Sequence, residues 1–468
     1  MSAGTRPIRT ELKGLAKLAL PIAVAQAGQS LMGFTDTAIA GRAGAETLGG
    51  VGLGNALFFA VGSFGMGAMM GLDPLISQAV GAGNQSRARR LLWQGLWLSL
   101  ALFALALPVI LLMPGLLTLM GTEPGLFSEA RAYILWRAPS FLPLCLYGAL
   151  RSYLQGKGRT APIVWAAIIA NIFNVVADMY LIFGGASLPE WTGPLRLMPA
   201  MGAAGAAMAT VLGALLQVAI MTWGVRLIRV LPEPGRWKPD LKQLKEALAV
   251  GLPVGLHFMA EVGVFAMSGV LASRLGTLAV AAHQIVLTYG SLSFTFAMGI
   301  GTAGSTRVGW AVGAQNQAGA SRSAWVAFAA GTAFMSLTAL IFLLFPAQLM
   351  RLMTNDPEVF KVGVSLMLVA AVFQIADGVQ GVGAGVLRGV GDTRFTFVAN
   401  LVGHWLVGMP IAIGLGFGLG WGVQGIWWGL CTGLILVAVA LLLRFRFLSK
   451  RPFQRLTDVE NVQTPQPG

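Results

Sequence analysis

Val80-Gly81-Ala82-Gly83-Asn84-Gln85 recurs as Val312-Gly313-Ala314-Gln315-Asn316-Gln317. Leu20-Pro21 likewise recurs as Leu252-Pro253, and both pairs keep one spacing of 232 residues (316 − 84 and 253 − 21). Leu154-Gln155-Gly156-Lys157-Gly158-Arg159-Thr160 is echoed by Leu387-Arg388-Gly389-Val390-Gly391-Asp392-Thr393, and Gly202 with Gly205 by Gly422 with Gly425 in a looser register. One spacing held across two helices and a loop marks an internal duplication. Each copy contains six apolar stretches long enough to span a bilayer, which needs about 20 mostly apolar residues. The expected spans centre near Ala25, Val61, Leu102, Leu142, Ile168, Leu212, Phe258, Ser291, Phe334, Val372, Leu406 and Leu434. Six is an even number, so both copies insert the same way up, the arrangement of parallel-repeat transporters that alternate access around a central site. The fold expected is an all-α integral membrane protein, with twelve transmembrane helices in two pseudo-symmetric six-helix lobes.

Composition agrees. Of the 468 residues, 56% are hydrophobic, 11% charged and 62 are glycine, against about 25% charged in soluble chains. The formal net charge of +14 could suggest nucleic acid, but the basic residues lie in small clusters between apolar runs. Arg87, Arg89 and Arg90, Lys157 and Arg159, Arg226 to Lys245, Arg322, Arg394 and Arg444 to Arg455 fall in the even-numbered connections or the C-terminal end. The odd connections hold fewer, so both termini are expected in the cytoplasm. Expected segments are 1–13, a cytoplasmic N-terminal segment; 14–229, the first lobe; 230–244, a cytoplasmic connector; 245–446, the second lobe; and 447–468, a disordered cytoplasmic tail. The first apolar run is too long for a signal-peptide core. Cys145 and Cys431 imply neither a disulfide framework nor a zinc site.

Carboxylates inside the spans carry the functional signal: Asp36, Asp178, Glu261, Asp377 and, nearer an end, Asp73. A charge at the bilayer centre costs roughly 2.5–3.5 kcal/mol on insertion scales, so it is rare and usually functional. No Lys or Arg is expected comparably deep, and an acid-only interior suits a path for cations. Asn171, Asn174 and Asp178 share one face of the fifth span at spacings of three and four. With Asp36 on the first span and Thr210 on the sixth, Asn174 and Asp178 form an all-oxygen set that suits a hard cation and could hold sodium. In the second lobe, Glu261 on the seventh span and Asp377 on the tenth could be joined by Gln284 and Phe294 of the eighth, an amide and an aromatic face for a cation. A carboxyl group among apolar side chains resists ionisation and a nearby cation reverses that preference, so proton and cation can compete for one site.

The duplication does not copy the acids. Asp36 falls on Ser268 and Glu261 on Gln29, so symmetric packing does not account for them. Any one acid could instead be a neutral group hydrogen-bonded to a neighbouring helix. For Asp73, followed by Pro74, the structural role is preferred. Asn171 could equally be packing glue, and His257, His283 and His404 read as packing residues. Gly62–Gly71 reads as close helix packing and is no phosphate loop, since no Gly-Lys-Ser/Thr follows. No nucleotide motif points to ATP, and no Ser-His-Asp set is placed for hydrolysis.

These residues resemble the multidrug and toxic compound extrusion family over about residues 10–446. The resemblance rests on Leu20-Pro21 with Phe34-Thr35-Asp36-Thr37, Gly71-Leu72-Asp73-Pro74-Leu75-Ile76-Ser77-Gln78 followed by Gly81-Ala82-Gly83-Asn84, Leu154 to Gly158, Leu252-Pro253 with Glu261, and Asp377-Gly378-Val379-Gln380-Gly381-Val382 with Leu387-Arg388-Gly389. It implies a bacterial inner-membrane antiporter, driven by sodium or proton entry, that exports small cationic amphipathic compounds. A monomer is expected, with no cofactor, ATP or nucleic acid. Glu261 and Asp377 resemble the second-lobe pair of NorM-like members; Asp36, Asn174, Asp178 and Thr210 resemble the first-lobe site of DinF-like members. The resemblance thus leaves the coupling ion and its lobe open. Phe373 stands where a tyrosine would add an oxygen to a second-lobe cation. The nearest rival is a flippase of lipid-linked precursors, which would want cationic residues in its cavity. A membrane-embedded enzyme or receptor is a more distant one.

Overall fold

The computed structural model describes residues 8–119, 121–186, 189–231 and 235–456. Arg6 of the N-terminal basic cluster, residues 232–234 of the connector and 457–468 of the tail lie outside them. Every regular element among the described residues is helical. The long ones are α1 (Ile8–Ala43), α2 (Ala45–Met69), α3 (Leu72–Gly81), α4 (Gln85–Leu119), α5 (Pro124–Arg137), α6 (Phe141–Gly156), α7 (Ala161–Phe183) and α8 (Gly202–Arg226) in the first repeat. The second repeat has α9 (Leu241–Arg274), α10 (Thr277–Gly313), α11 (Gln317–Leu344), α12 (Pro346–Met353), α13 (Pro357–Val390), α14 (Thr393–Asn400), α15 (Met409–Ile413) and α16 (Gly422–Leu448), with wide π-turns over Leu401–Gly408 and Gly414–Gly418.

Ten of the expected twelve spans are helices long and apolar enough to cross a bilayer by length and composition. The other two are α1 and the α5–α6 pair, and each has a physical reason to fall short. Gln26, Gln29, Ser30, Thr35, Asp36 and Thr37 lower the hydropathy of α1. The fourth span is broken by a 3₁₀ turn at Ala138–Ser140, where Pro139 withholds a backbone donor. Pro21 lies inside α1 without ending it. Large apolar side chains such as Leu105, Leu112 and Trp223 stand exposed, as lipid-facing residues do; in water they would be sites of association.

The chain packs as two compact units: Val24–Leu72 with Arg89–Leu248, here the first unit, and Met1–Ala23, Asp73–Ala88 and Ala249–Gly468, the second. In the first unit, Gly205 lets α8 approach α7, since a Cβ there would meet the Leu181 carbonyl. Gly65 of the α2 glycine run faces the Phe141 ring, in line with close packing through small residues. The connector is docked on α4. Arg89 donates to the Ile228 carbonyl at 2.6 Å, the Gln94 amide bridges Lys238 O and Asp240 N at 2.9 and 2.8 Å, and the Trp97 indole donates to Trp237 O at 2.9 Å.

In the second unit, α10 and α13 cross backbone to backbone at Gly301 and Gly385. Two stretches from early in the sequence pack here. Leu15, Leu18 and Ile22 join a core with Val308, Val386 and Leu441, and Glu11 pairs with Arg307 at 2.6 Å. Gln78 of α3 donates to the Gly389 carbonyl at 3.1 Å. Asp73 lies 3.5 Å from Arg388, with side chains 0% and 6% exposed. The tail differs from the disorder expected over 447–468. α16 runs to Leu448, the Phe453 and Leu456 amides donate to Gln317 and Gln78 at 2.8 and 3.0 Å, and Phe453 stacks on Phe445. Two side-chain partners, buried Gln78 and half-buried Gln317, hold that stretch down by its backbone amides.

Candidate functional site

Three helices of the first unit meet at its acids. Asp36 of α1 is 3% exposed, Asn174 and Asp178 of α7 are fully buried, and Thr210 of α8 is 7% exposed. α7 brings Asn174 and Asp178 to one face by their spacing of four. The Thr210 hydroxyl donates to Asp36 Oδ2 at 3.0 Å, with the Ala206 carbonyl as an alternative acceptor at 3.0 Å. Asp178 and Asn174 lie within interaction range of Asp36. Yet Asp36 Oδ1, both Asp178 oxygens and both polar atoms of Asn174 have no hydrogen-bond partner among the described residues. Buried polar atoms are rarely left so. Two neighbouring carboxylates bring more acceptors than Thr210 and the Asn174 amide bring donors, an imbalance that a shared proton or a cation would relieve. The oxygen-only set fits a hard monovalent ion. Asn171, one turn earlier, spends its amide on the Ala167 carbonyl of its own helix at 2.7 Å.

A residue unforeseen in the sequence completes this site. Arg137, at the end of α5, donates to the Tyr133 hydroxyl and to Thr210 Oγ1 at 3.5 Å. It lies in electrostatic range of both Asp36 and Asp178. Other arginines are likewise shielded from solvent: Arg151 is 4% exposed and Arg388 5%. Bidentate, always-charged guanidinium groups tolerate burial beside carboxylates, aromatic faces and hydroxyls better than their hydropathy suggests. The i, i+4 pairing of Tyr133 with Arg137, just before Ala138-Pro139-Ser140, is the signal that could have found it.

The second unit holds Glu261 of α9 and Asp377 of α13, 7% and 4% exposed and in electrostatic range of each other. Gln380, three residues after Asp377, donates to Glu261 Oε1 at 3.2 Å, and His257, four before Glu261, sits 3.5 Å from Oε2. Glu261, His257, Phe294, Met298, Gln380 and Arg388 line one narrow pocket, whose cavity volume is ≈ 30 Å³. Phe294 packs so near that a Cβ on Gly381 would meet its ring at 2.9 Å. Gln284 does not join them. It lies exposed, ten residues or about 15 Å along α10 from Phe294. Phe373 is 4% exposed in edge-to-face contact with Trp427, centroids 5.5 Å apart, so this position serves the core. His283 shares that core through the Trp427 indole, 3.1 Å from Nδ1. Among the described residues no cluster of three or more His, Cys, Asp or Glu could hold a metal. Any ion here would therefore rely on carboxylate, amide and hydroxyl oxygens.

Comparison with known proteins points one way. The MatE family model matches residues 21–180 and again 253–413. The two matches begin at the two prolines that set the repeat spacing. A "Probable multidrug resistance protein NorM" of Pseudomonas putida is 35% identical over 456 residues, 94% of this chain and 96% of that protein. "Multidrug resistance protein NorM" of Aliivibrio fischeri is 32% identical over 466 residues, covering 97% and 98%. Among solved structures, a MATE protein in a bent conformation superposes with a TM-score of 0.84 at 19% identity, covering 98% of this chain and all of the other. An outward-facing multidrug resistance MATE family transporter of the MOP superfamily superposes with a TM-score of 0.83 at 19% identity, covering 96% and 99%. At that identity the structures speak for the fold.

Proposed function

The chain belongs to the MatE family, and on that premise we propose that it is a cation-coupled antiporter exporting small cationic amphipathic compounds. The observation that carries this reading is the buried cluster of Asp36, Asn174, Asp178 and Thr210, in which Asp36 Oδ1, both Asp178 oxygens and the Asn174 amide have no hydrogen-bond partner among the described residues. Sodium or a proton binds there and drives the cycle. Asp36, Asp178 and the Asn174 amide supply the oxygens, and Thr210 orients Asp36. The cationic substrate is held in the second unit by Glu261 and Asp377, with Phe294 offering an aromatic face. Gln380 and His257 orient Glu261. The names of the relatives, multidrug resistance proteins, support the substrate class. The chain works as a multi-pass monomer of the bacterial inner membrane with both termini in the cytoplasm, in line with its basic loops. It uses neither ATP nor a cofactor.

An ion shifts a two-state equilibrium only by its differential affinity for the two states. Occupancy of the first-unit site must therefore differ between them. The test is dye efflux from proteoliposomes under separately imposed sodium and proton gradients. Native protein should respond to at least one gradient. Asp36→Asn, which keeps shape but loses the charge, should insert normally and lose gradient-driven efflux. Asp178→Asn should still bind dye while efflux fails. Wild-type efflux by Asp36→Asn would overturn the coupling assignment.

A further inference from the structure

Arg137 brings a full positive charge to the first-unit acids, and its side chain is held in place. Its guanidinium carbon lies 4.8 Å over the Phe58 ring and 5.3 Å over the Tyr133 ring. It donates to the Tyr133 hydroxyl, and NH1 reaches Thr210 Oγ1 at 3.5 Å. Gly54 makes room for this clamp, since a Cβ there would meet the Tyr133 ring. Thr210 then links the guanidinium to Asp36, accepting from one and donating to the other at 3.0 Å. An arginine does not deprotonate inside a protein. Its charge is a constant of the site, whatever the two carboxylates carry.

We propose that Arg137 sets the charge quota of the first-unit site, so that Asp36 and Asp178 accept one added positive charge and no more. Two carboxylates and one guanidinium leave a single negative charge. One sodium ion or one proton brings the buried set to neutrality. A divalent ion, or two monovalent ions, would leave a net positive charge in a region where every side chain named is buried or half-buried. An uncompensated buried charge is strongly disfavoured. Arg137 is thus a specificity-determining residue: it fixes the number of coupling charges and excludes divalent ions, though it need not touch the ion. This inference rests on the reading of the first-unit set as the coupling site.

The quota predicts a rescue that simple packing does not. Arg137→Gln leaves a deficit of two charges. Asp178→Asn leaves none, because Arg137 alone balances Asp36. The double variant Arg137→Gln/Asp178→Asn restores a deficit of one. The experiment measures binding of radioactive sodium to the purified full chain, its displacement by calcium, and gradient-driven dye efflux. Native protein should bind one sodium, poorly displaced by calcium. Arg137→Gln should let calcium displace sodium at least about 30-fold more readily, the scale expected for losing one partner of a buried charge set. Asp178→Asn should bind sodium at least about 30-fold more weakly. The double variant should regain sodium binding to within a few-fold of native, and Arg137→Lys should keep native discrimination. If the native chain takes protons and no sodium, the same variants are read by proton-driven efflux, and the rescue has the same meaning. A double variant that binds sodium no better than Asp178→Asn overturns the quota, even while Asp36→Asn remains inactive. Native efflux by Asp36→Asn overturns the coupling site itself, and the two failures are therefore separable. Should Arg137→Gln not fold, calcium displacement in Arg137→Lys decides: native discrimination supports the quota and lost discrimination sinks it.

Discussion

Asp73 and Arg388 form an ion pair whose worth can be worked out from the structure. Their charged atoms lie 3.5 Å apart with side chains 0% and 6% exposed. At an effective dielectric constant of about 20, unit charges at that separation attract by about 4–5 kcal/mol. Removing one partner strands the other as a buried charge, which typically costs 3–5 kcal/mol. Both groups have further interactions that soften the loss, so about 3 kcal/mol is the expectation for Asp73→Asn or Arg388→Met alone. Removing both leaves neither charge stranded by the loss of the other, and the double variant should lose clearly less than the sum of the two singles. The chain carries its own reporter for this cycle. Cys431, buried in the second unit with the pair, becomes the sole thiol once Cys145 is replaced by Ala. Its reaction with a thiol-reactive fluorophore during heating then reports unfolding of that unit. A loss of about 3 kcal/mol corresponds to a fall in Tm of roughly 6–12 °C, taking the response of a 150–250-residue domain. The double variant should fall by clearly less than the two singles together. If the two losses add, Asp73 and Arg388 do not act as a pair, and α3 is held in the second unit by other contacts, such as that of Gln78 with the Gly389 carbonyl.

Glu261→Gln and Asp377→Asn should each weaken binding of a cationic dye, with the double variant losing little more, since groups that act as a unit are non-additive; equilibrium fluorescence on purified variants checks this, and additive losses would indicate independent sites. Gly385→Ala should cost about 1–3 kcal/mol, because the new Cβ meets the Gly301 backbone, which cannot rotate away; the thiol assay should show it, and native stability would mean that α10 and α13 can part without cost. Asp240→Ala should cost about 1 kcal/mol at neutral pH, since its carboxylate caps α9 by accepting from the Lys242 and Gln243 amides. The Gln243 side chain, which donates to Asp240 at 2.6 Å, holds that carboxyl below its ordinary range. The cap is therefore complete above that range and fades as the pH falls through it. A wild-type-minus-variant stability difference that grows on acidification would contradict the assignment.

Much of the fold was legible because lipid imposes a simple code of length and hydropathy, and because the duplication supplied a second reading of each motif. The convergence of Asp36, Asn174, Asp178 and Thr210 was legible for a related reason: polar groups in apolar helices must face one another. Arg137 was not. It lies beside a helix break, where a basic residue reads as a loop or interface anchor, and only the folded chain shows Phe58 and Tyr133 gathered around it. Gln284 erred in the opposite sense. Helical register placed it on the right span, but its height along α10 was not readable from spacing alone. The ordered stretch before Leu456 was hidden because its partners, Gln78 and Gln317, are distant in sequence and supply amides rather than apolar surface.

The unequal acids of the two repeats also bear on how this chain can change. Gln29, the counterpart of Glu261, spends its amide on Gln217 at 3.1 Å. Ser268, the counterpart of Asp36, is fully buried and turns its hydroxyl to the Phe265 carbonyl at 2.8 Å. The genetic code separates glutamine from glutamate by one base, whereas every serine codon lies at least two bases from aspartate. A random mutagenesis library will therefore sample a carboxylate at Gln29 readily and one at Ser268 almost never. Selection from such libraries can make the first unit more like the second far more easily than the reverse. Variants with altered ion preference should accumulate on that side of the molecule.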